Sequence, residues 1–129
     1  MSRGTRGLRL KRVYEEPSPA DGFRILVDRL WPRGISKEKA KVALWLKNIA
    51  PSHDLRKWFA HDPGKWTTFV KKYREELDGK GDLASVIREK AADRAVTLLY
   101  GAADAKHNNA AALKIYLEED WPSPKKTVR

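Results

Sequence analysis

Arg94 to Tyr100 is an almost unbroken apolar run that includes β-branched Val96 and Thr97. A strand with one wet face alternates apolar and polar residues, whereas a strand covered on both faces does not. Such a strand needs a layer of structure above it and another below. Helical patterns precede it and follow it in the chain, which is the arrangement of a parallel sheet wrapped by helices. The expected fold is therefore α/β: a small three-layer sandwich with a mainly parallel sheet of three or four strands and helices on both faces.

The remaining elements are read from periodicity. Leu8 to Val13 alternates Leu8 and Leu10 with Arg9 and Lys11, the pattern of a strand with one wet face. Phe23 to Val27 is a second strand with Arg24 inside it, and Val42 to Trp45 is a short third candidate. Trp31-Pro32-Arg33-Gly34 turns the chain. Ser52 precedes Leu55, Trp58 and Phe59 on one helical face. Asp62-Pro63 opens the next helix, where Trp66, Phe69, Val70, Tyr73 and Leu77 keep helical spacing until Gly79. Asp82 is a candidate cap for a further helix carrying Leu83, Val86 and Ile87. Asn108 is a candidate cap for the last one, with Leu113, Tyr116 and Leu117 facing inward.

At 129 residues the chain has the length of one domain. The expected division is a basic tail over residues 1–6, a domain over 7–120 and a second tail over 121–129. With no cysteine, disulfides, thiolate catalysis and zinc-thiolate sites are excluded. The longest apolar stretch, Ala95 to Ala103, is far shorter than the ~20 residues of a membrane span. The N-terminus lacks a secretory signal's apolar core, so a cytoplasmic location is expected. The 27 Lys and Arg outnumber the 17 Asp and Glu, a formal charge of +10. That field favours anionic partners: nucleic acid, nucleotides, or phosphorylated or carboxylated small molecules.

Three clusters carry candidate chemistry. Arg24 to Gly34 packs three arginines, Asp28 and Trp31 into and just after a strand. One reading is an ion pair of Asp28 with an arginine; the other is an arginine fork for a carboxylate or phosphate. Arg29 and Arg33 are the candidate anion holders and Trp31 a stacking surface. The second cluster surrounds His61, which lies in the break between two helices and is a candidate general base or haem ligand, or a plain surface residue. The third is Tyr100, then His107, Asn108 and Asn109, where a buried strand ends and a helix begins. Ligands of open α/β sheets collect there. If the two buried strands are neighbours, Arg33 and His107 flank one crevice. Gly79 to Ala84 fits a loose dinucleotide pattern but follows a helix instead of a strand, so its context fails. The three scattered histidines favour no protein-only metal site.

The segments FRILVDRLWPRGISKEKA, WLKNIAPSHDLRKWFAHDPGKW, FVKKYREEL and VTLLYGAADAKHNNAAAL resemble the YeaO-like proteins of a bacterial domain-of-unknown-function family. The resemblance spans about residues 8 to 119. Its motif positions here are Asp28, Arg29, Trp31, Arg33, Trp45, Pro51, Arg56, Trp58, His61, Trp66, Tyr73, Tyr100 and Asn109. It implies a compact α/β bacterial protein and brings no settled activity.

The favoured expectation is a site for a small anionic ligand in a crevice at the strand carboxyl ends. Arg29 and Arg33 would hold the anion, Trp31, Tyr100, Asn108 and Asn109 would line the site, and His61 or His107 would move a proton. The alternatives are a haem-binding protein with a histidine axial ligand, a basic nucleic-acid-binding protein, and a partner-binding domain without catalysis.

Overall fold

The computed structural model describes residues 8–119. The two expected tails, 1–6 and 121–129, lie outside the described residues. Four strands, β1 (Leu8–Arg12), β2 (Phe23–Leu26), β3 (Leu44–Trp45) and β4 (Val96–Tyr100), form one sheet in the order β1-β4-β2-β3. Every pairing is parallel. The helices are α1 (Lys37–Ala40), α2 (His53–Phe59), α3 (Trp66–Asp78), α4 (Gly81–Asp93) and α5 (Asn109–Glu119). The fold is the expected α/β sandwich. None of the helices among the described residues is long and apolar enough to cross a membrane.

β4 sits between β1 and β2, and all five of its residues are buried. Its Val96, Leu98 and Tyr100 point into the larger core, with Ile25 and Val27 of the neighbouring segment and the inner faces of α3, α4 and α5. Leu99 turns the other way, into a smaller cluster with Val13, Leu26 and Ala40, flanked by Trp31 and Trp45. This alternation is why the run carries no polar face. The two outer layers are unequal. Three long helices cover one face, while the short α1 and the loop carrying Trp31 cover the other. Burying each large aliphatic side chain contributes about 1.5–3 kcal/mol, so most of the stabilisation lies on the three-helix side.

Three local expectations change. Arg24 does not reach Asp28. Its guanidinium bonds Asp21 at 2.6 Å and donates to the Ala40 and Lys41 carbonyls at 2.6 and 3.1 Å. Asp21 is only three residues away, across the tight Gly22 turn, and so reaches the buried guanidinium first. Asp82 does not cap α4. The helix begins one residue earlier, at Gly81, and Asp82 stands inside its first turn, where a negative charge still favours the helix dipole. Asp62 does not cap α3 either: it caps a separate 3-10 turn, Pro63–Lys65, accepting the Gly64 N–H at 2.9 Å, and α3 starts after that turn at Trp66. The caps of α2 and α5 match their sequence signals. Ser52 Oγ accepts the Leu55 N–H at 3.1 Å, and Asn108 Oδ1 accepts the Ala111 N–H at 2.8 Å.

Candidate functional site

The carboxyl ends of β2 and β4 lie side by side because these strands pair directly. Asp28, two residues past β2, accepts the N–H of Gly101, one residue past β4, at 2.9 Å. A Cβ on Gly101 would stand 3.3 Å from that carboxylate oxygen, a contact tight enough that the carboxylate would have to shift by a few tenths of an ångström. Trp45 Nε1 donates to the Asp28 carbonyl at 2.8 Å, which ties in β3 as well. Asn109, the first residue of α5, donates its side-chain amide to the Val27 carbonyl at 3.1 Å. Asp28 thus joins three strand ends and abuts the start of the last helix. Burial pushes its carboxyl above the ordinary value, against the opposing pull of the Gly101 N–H, the Asn109 amide and the Arg56 charge.

Beside this junction is a cavity of about 320 Å³ between α2 and the start of α5. Its polar wall comes largely from α2 and the residues after it: His53, Arg56, Lys57 and His61. Positions 53, 56 and 57 follow the i, i+3, i+4 rule and therefore share one helical face. Pro51, Phe59, Phe69 and Ala102 supply the apolar wall, and Asn108 and Asn109 close it from α5. Among the described residues no carboxylate lines it, and the acidic group that the Arg56 charge acts on is Asp28 at the strand junction. Arg56 Nε donates to the Pro51 carbonyl at 3.2 Å, while its terminal nitrogens donate to none of the described residues.

The wall is held from behind. Glu76 on α3 accepts both the Ser52 N–H at 2.8 Å and the Ser52 hydroxyl at 2.6 Å, clamping the start of α2. Phe59 stacks on Phe69 with ring centroids 4.2 Å apart. Buried Tyr73 donates to the Ile49 carbonyl at 2.7 Å, just ahead of Pro51. At the far end of α2 the backbone is strained. Ala60 and His61 both adopt left-handed φ values, +46° and +57°, and neither is glycine. That conformation costs an L-residue about 1–2 kcal/mol. It reverses the chain so sharply that His61 returns to the cavity wall. Ala60→Gly should therefore stabilise the fold by about 0.5–1 kcal/mol, the relieved strain exceeding the added chain entropy. Urea denaturation of the two proteins measures it, and a lower midpoint for the glycine variant would refute the strain.

Of the residues expected from sequence, the cavity brings together His61, Asn108 and Asn109. Arg29, Trp31, Arg33, Tyr100 and His107 do not line it. Trp31 belongs to the small cluster on the opposite face of the sheet, edge-on to Trp45 at 5.4 Å, with Nε1 donating to the Ile35 carbonyl at 2.8 Å. Arg33 is exposed, and its carbonyl accepts the Tyr14 hydroxyl at 2.7 Å. Tyr100 is buried in the main core, and burial raises its phenol above the usual value. Arg29 is half-buried, with a buried Nε that has no hydrogen-bond partner among the described residues. His107 Nδ1 lies 3.0 Å from Asp104 Oδ2, and its ring meets Trp66 edge-on at 5.3 Å. The Lys106 N–H and the His107 side chain and N–H hold the Asp104 carboxyl down to about 2. Arg33 and His107 are thus not brought together at this cavity.

Sequence reasoning passed over His53, Arg56 and Lys57 as site residues. Their signal was available in the helical spacing of three basic or imidazole side chains opposite Leu55 and Phe59. Among the described residues, no group of three His, Asp or Glu side chains is placed to hold a metal ion.

A parallel α/β domain with a cation-lined cavity at its strand ends is the class these features define. The chain belongs to the family described as the inactive DUF488-N3 subclade, whose model matches residues 7–128. It is 41% identical over 113 residues to uncharacterized protein Rv3073c of Mycobacterium tuberculosis, covering 88% of this chain and 94% of that protein. It is 39% identical over 110 residues to uncharacterized protein YeaO of Escherichia coli K12, covering 85% and 96%. The YeaO-like resemblance therefore holds across the domain. No solved structure matches this chain.

Proposed function

We propose that this protein binds a small organic anion, a phosphate or carboxylate ester with an apolar or aromatic body, in the cavity between α2 and α5. The observation that carries this reading is the lining: Arg56, Lys57, His53 and His61 on one wall, Phe59 and Phe69 on another, and no carboxylate. Arg56 and Lys57 stand side by side and neither forms an ion pair with a described residue, so an incoming anion relieves the repulsion between them. A cavity of about 320 Å³ is at the lower end of the range of small-molecule sites, enough for one compact ligand. Its location also agrees with the general habit of α/β sheets, which bind at strand carboxyl ends. The family description, inactive, favours binding over catalysis.

Arg56 takes the leading role. Its Nε is anchored to the Pro51 carbonyl, so its two terminal nitrogens are oriented before the ligand arrives. Asn108 and Asn109, whose amides are already bonded to Asp104, Ala111 and Val27, form a fixed opposite side, and the aromatic wall takes the apolar body.

The test is thermal unfolding with and without thymidine 5′-monophosphate, and separately with inorganic phosphate. A ligand at a hundred times its Kd stabilises by about 2.7 kcal/mol, a readily measured rise in Tm. Arg56→Ala should remove the rise, and Arg33→Ala should leave it intact. A rise of equal size in Arg56→Ala overturns the assignment. A Soret band in freshly purified protein that is lost in His61→Ala would replace this reading with haem ligation.

A further inference from the structure

His61 differs from the other polar groups of the cavity in how it reaches it. His53, Arg56 and Lys57 project from one face of α2. His61 lies beyond the end of that helix and lines the same space because the chain reverses at Ala60. Both residues of the reversal hold left-handed φ values without being glycine. Strain of this kind persists where the surrounding structure enforces it, and it gathers at sites of ligand contact. What it secures here is the position of an imidazole. That position is the border between the polar and the apolar lining. The His61 ring lies 6.4 Å from the Phe59 ring, centroid to centroid, at an interplanar angle of 51°. Phe59 in turn stacks on Phe69.

The donors in this cavity exceed what a carboxylate can use. A carboxylate presents two oxygens in one plane, and a single arginine fork pairs with both. Arg56 alone satisfies it, which leaves Lys57 and His61 with no acceptor on the ligand. A phosphate monoester presents three terminal oxygens on a tetrahedral head, and above its second pKa of about 6 it carries close to two negative charges. Arg56 and Lys57 match those two charges. The third oxygen stands out of the plane of the arginine fork and needs a donor from a separate segment, which His61 is. Asp28 takes no donor from the cavity: it lies outside the lining, and its carboxylate accepts the Gly101 N–H at 2.9 Å.

We propose that the cavity selects a phosphate monoester dianion over a carboxylate, and that His61 sets this specificity by donating an imidazole N–H to the phosphate oxygen that the Arg56 fork leaves unpaired. The inference rests on the small-anion reading of the cavity and narrows its ligand to one chemical class. The phosphate head lies against Arg56 and Lys57. The imidazole stands where head and body join, and the apolar body lies against Phe59 and Phe69.

The experiment titrates three probes of matched body into the full chain at about pH 8 and fixed salt: phenyl phosphate, phenyl sulfate and benzoate. Phenyl sulfate keeps the tetrahedral head but carries one charge, and benzoate carries one charge on a planar head. Phenyl phosphate should bind at least about tenfold more tightly than either, the worth of one charge-assisted hydrogen bond. His61→Ala should weaken phenyl phosphate by about tenfold and benzoate by no more than about threefold. Alanine, like histidine, carries a Cβ, so the backbone strain is the same in both proteins. His61→Asn should recover part of the phosphate affinity, since asparagine tolerates the left-handed conformation and keeps an N–H donor. Benzoate or phenyl sulfate binding as tightly as phenyl phosphate overturns the proposal, and so does a His61→Ala loss shared equally by phenyl phosphate and benzoate. Either result, with binding still lost in Arg56→Ala, leaves the small-anion site standing. Failure of all three probes to bind, or binding indifferent to Arg56→Ala, overturns the cavity reading itself and this proposal with it.

Discussion

Arg24→Ala should lower the stability of the domain by about 3–5 kcal/mol, a large part of what holds a domain of this size together. Arg24 is buried, and so is its partner Asp21. The guanidinium makes three bonds, one to the Asp21 carboxylate and two to the carbonyls of Ala40 and Lys41. Truncation leaves the carboxylate held only by Lys11 and the Ser18 N–H, and strands the buried Ala40 carbonyl and the part-buried Lys41 carbonyl. Arg24→Lys should recover little, since one ammonium cannot span three acceptors set around a planar fork. The pH dependence gives a second readout. Burial alone would raise the Asp21 carboxyl, but its bonds to Lys11, Ser18 and Arg24 outweigh that and hold it below its ordinary value. A group lowered on folding stabilises the protein above its unfolded-state value, and that contribution disappears as pH falls through the folded value. The parent protein should therefore lose stability on acidification below the ordinary carboxylate range, and Arg24→Ala should lose less over the same interval. Urea titrations at neutral and acid pH measure both. A neutral-pH loss under about 1 kcal/mol would show that the pair is replaceable.

Gly22→Ala should have a similar effect by a different route, about 2–5 kcal/mol from overpacking added to left-handed strain. Gly22 has φ +67°, and a Cβ there would overlap the backbone carbonyl of Ala95. That carbonyl accepts the Phe23 N–H at 2.9 Å, which begins the β2–β4 pairing. The substituent meets backbone, so no side chain can rotate away to make room. Displacing Ala95 would pull on the strand that fills the centre of the sheet. Calorimetry of the variant would show a marked fall in Tm, and a Tm within a degree or two of the parent would mean that the β2 entry shifts freely.

The parts of this structure that were legible in sequence are those fixed by local pattern. The apolar run to Tyr100 signalled a strand covered on both faces, and it is the fully buried β4. Alternation disclosed β1, and Asn108 marked the start of α5. Leu44–Trp45 pairs over two residues only, too short for any period to register strongly. The site was partly legible for a related reason. His61, Asn108 and Asn109 follow element ends, and ends show in sequence as breaks and caps. Trp31 and Arg33 do not line the cavity between α2 and α5, and sequence could not show this because the side of the sheet on which a connecting loop settles depends on the strand order, β1-β4-β2-β3, which periodicity does not carry. Asp28 was legible as a charge in an unusual place, but its partner was not. The Gly101 N–H is seventy-three residues away, and only the pairing of β2 with β4 brings it near.

That strand order has a consequence for how the molecule is made. β1 and β2 emerge early from the ribosome but do not touch, because the place between them belongs to a segment synthesised some seventy residues later. Until Val96–Tyr100 arrives, both hold unpaired edges and uncovered apolar side chains, the condition in which nascent chains aggregate or recruit chaperones. Assembly must therefore wait for nearly the whole chain, and a fragment ending before Val96 would lack the one strand able to join the other two.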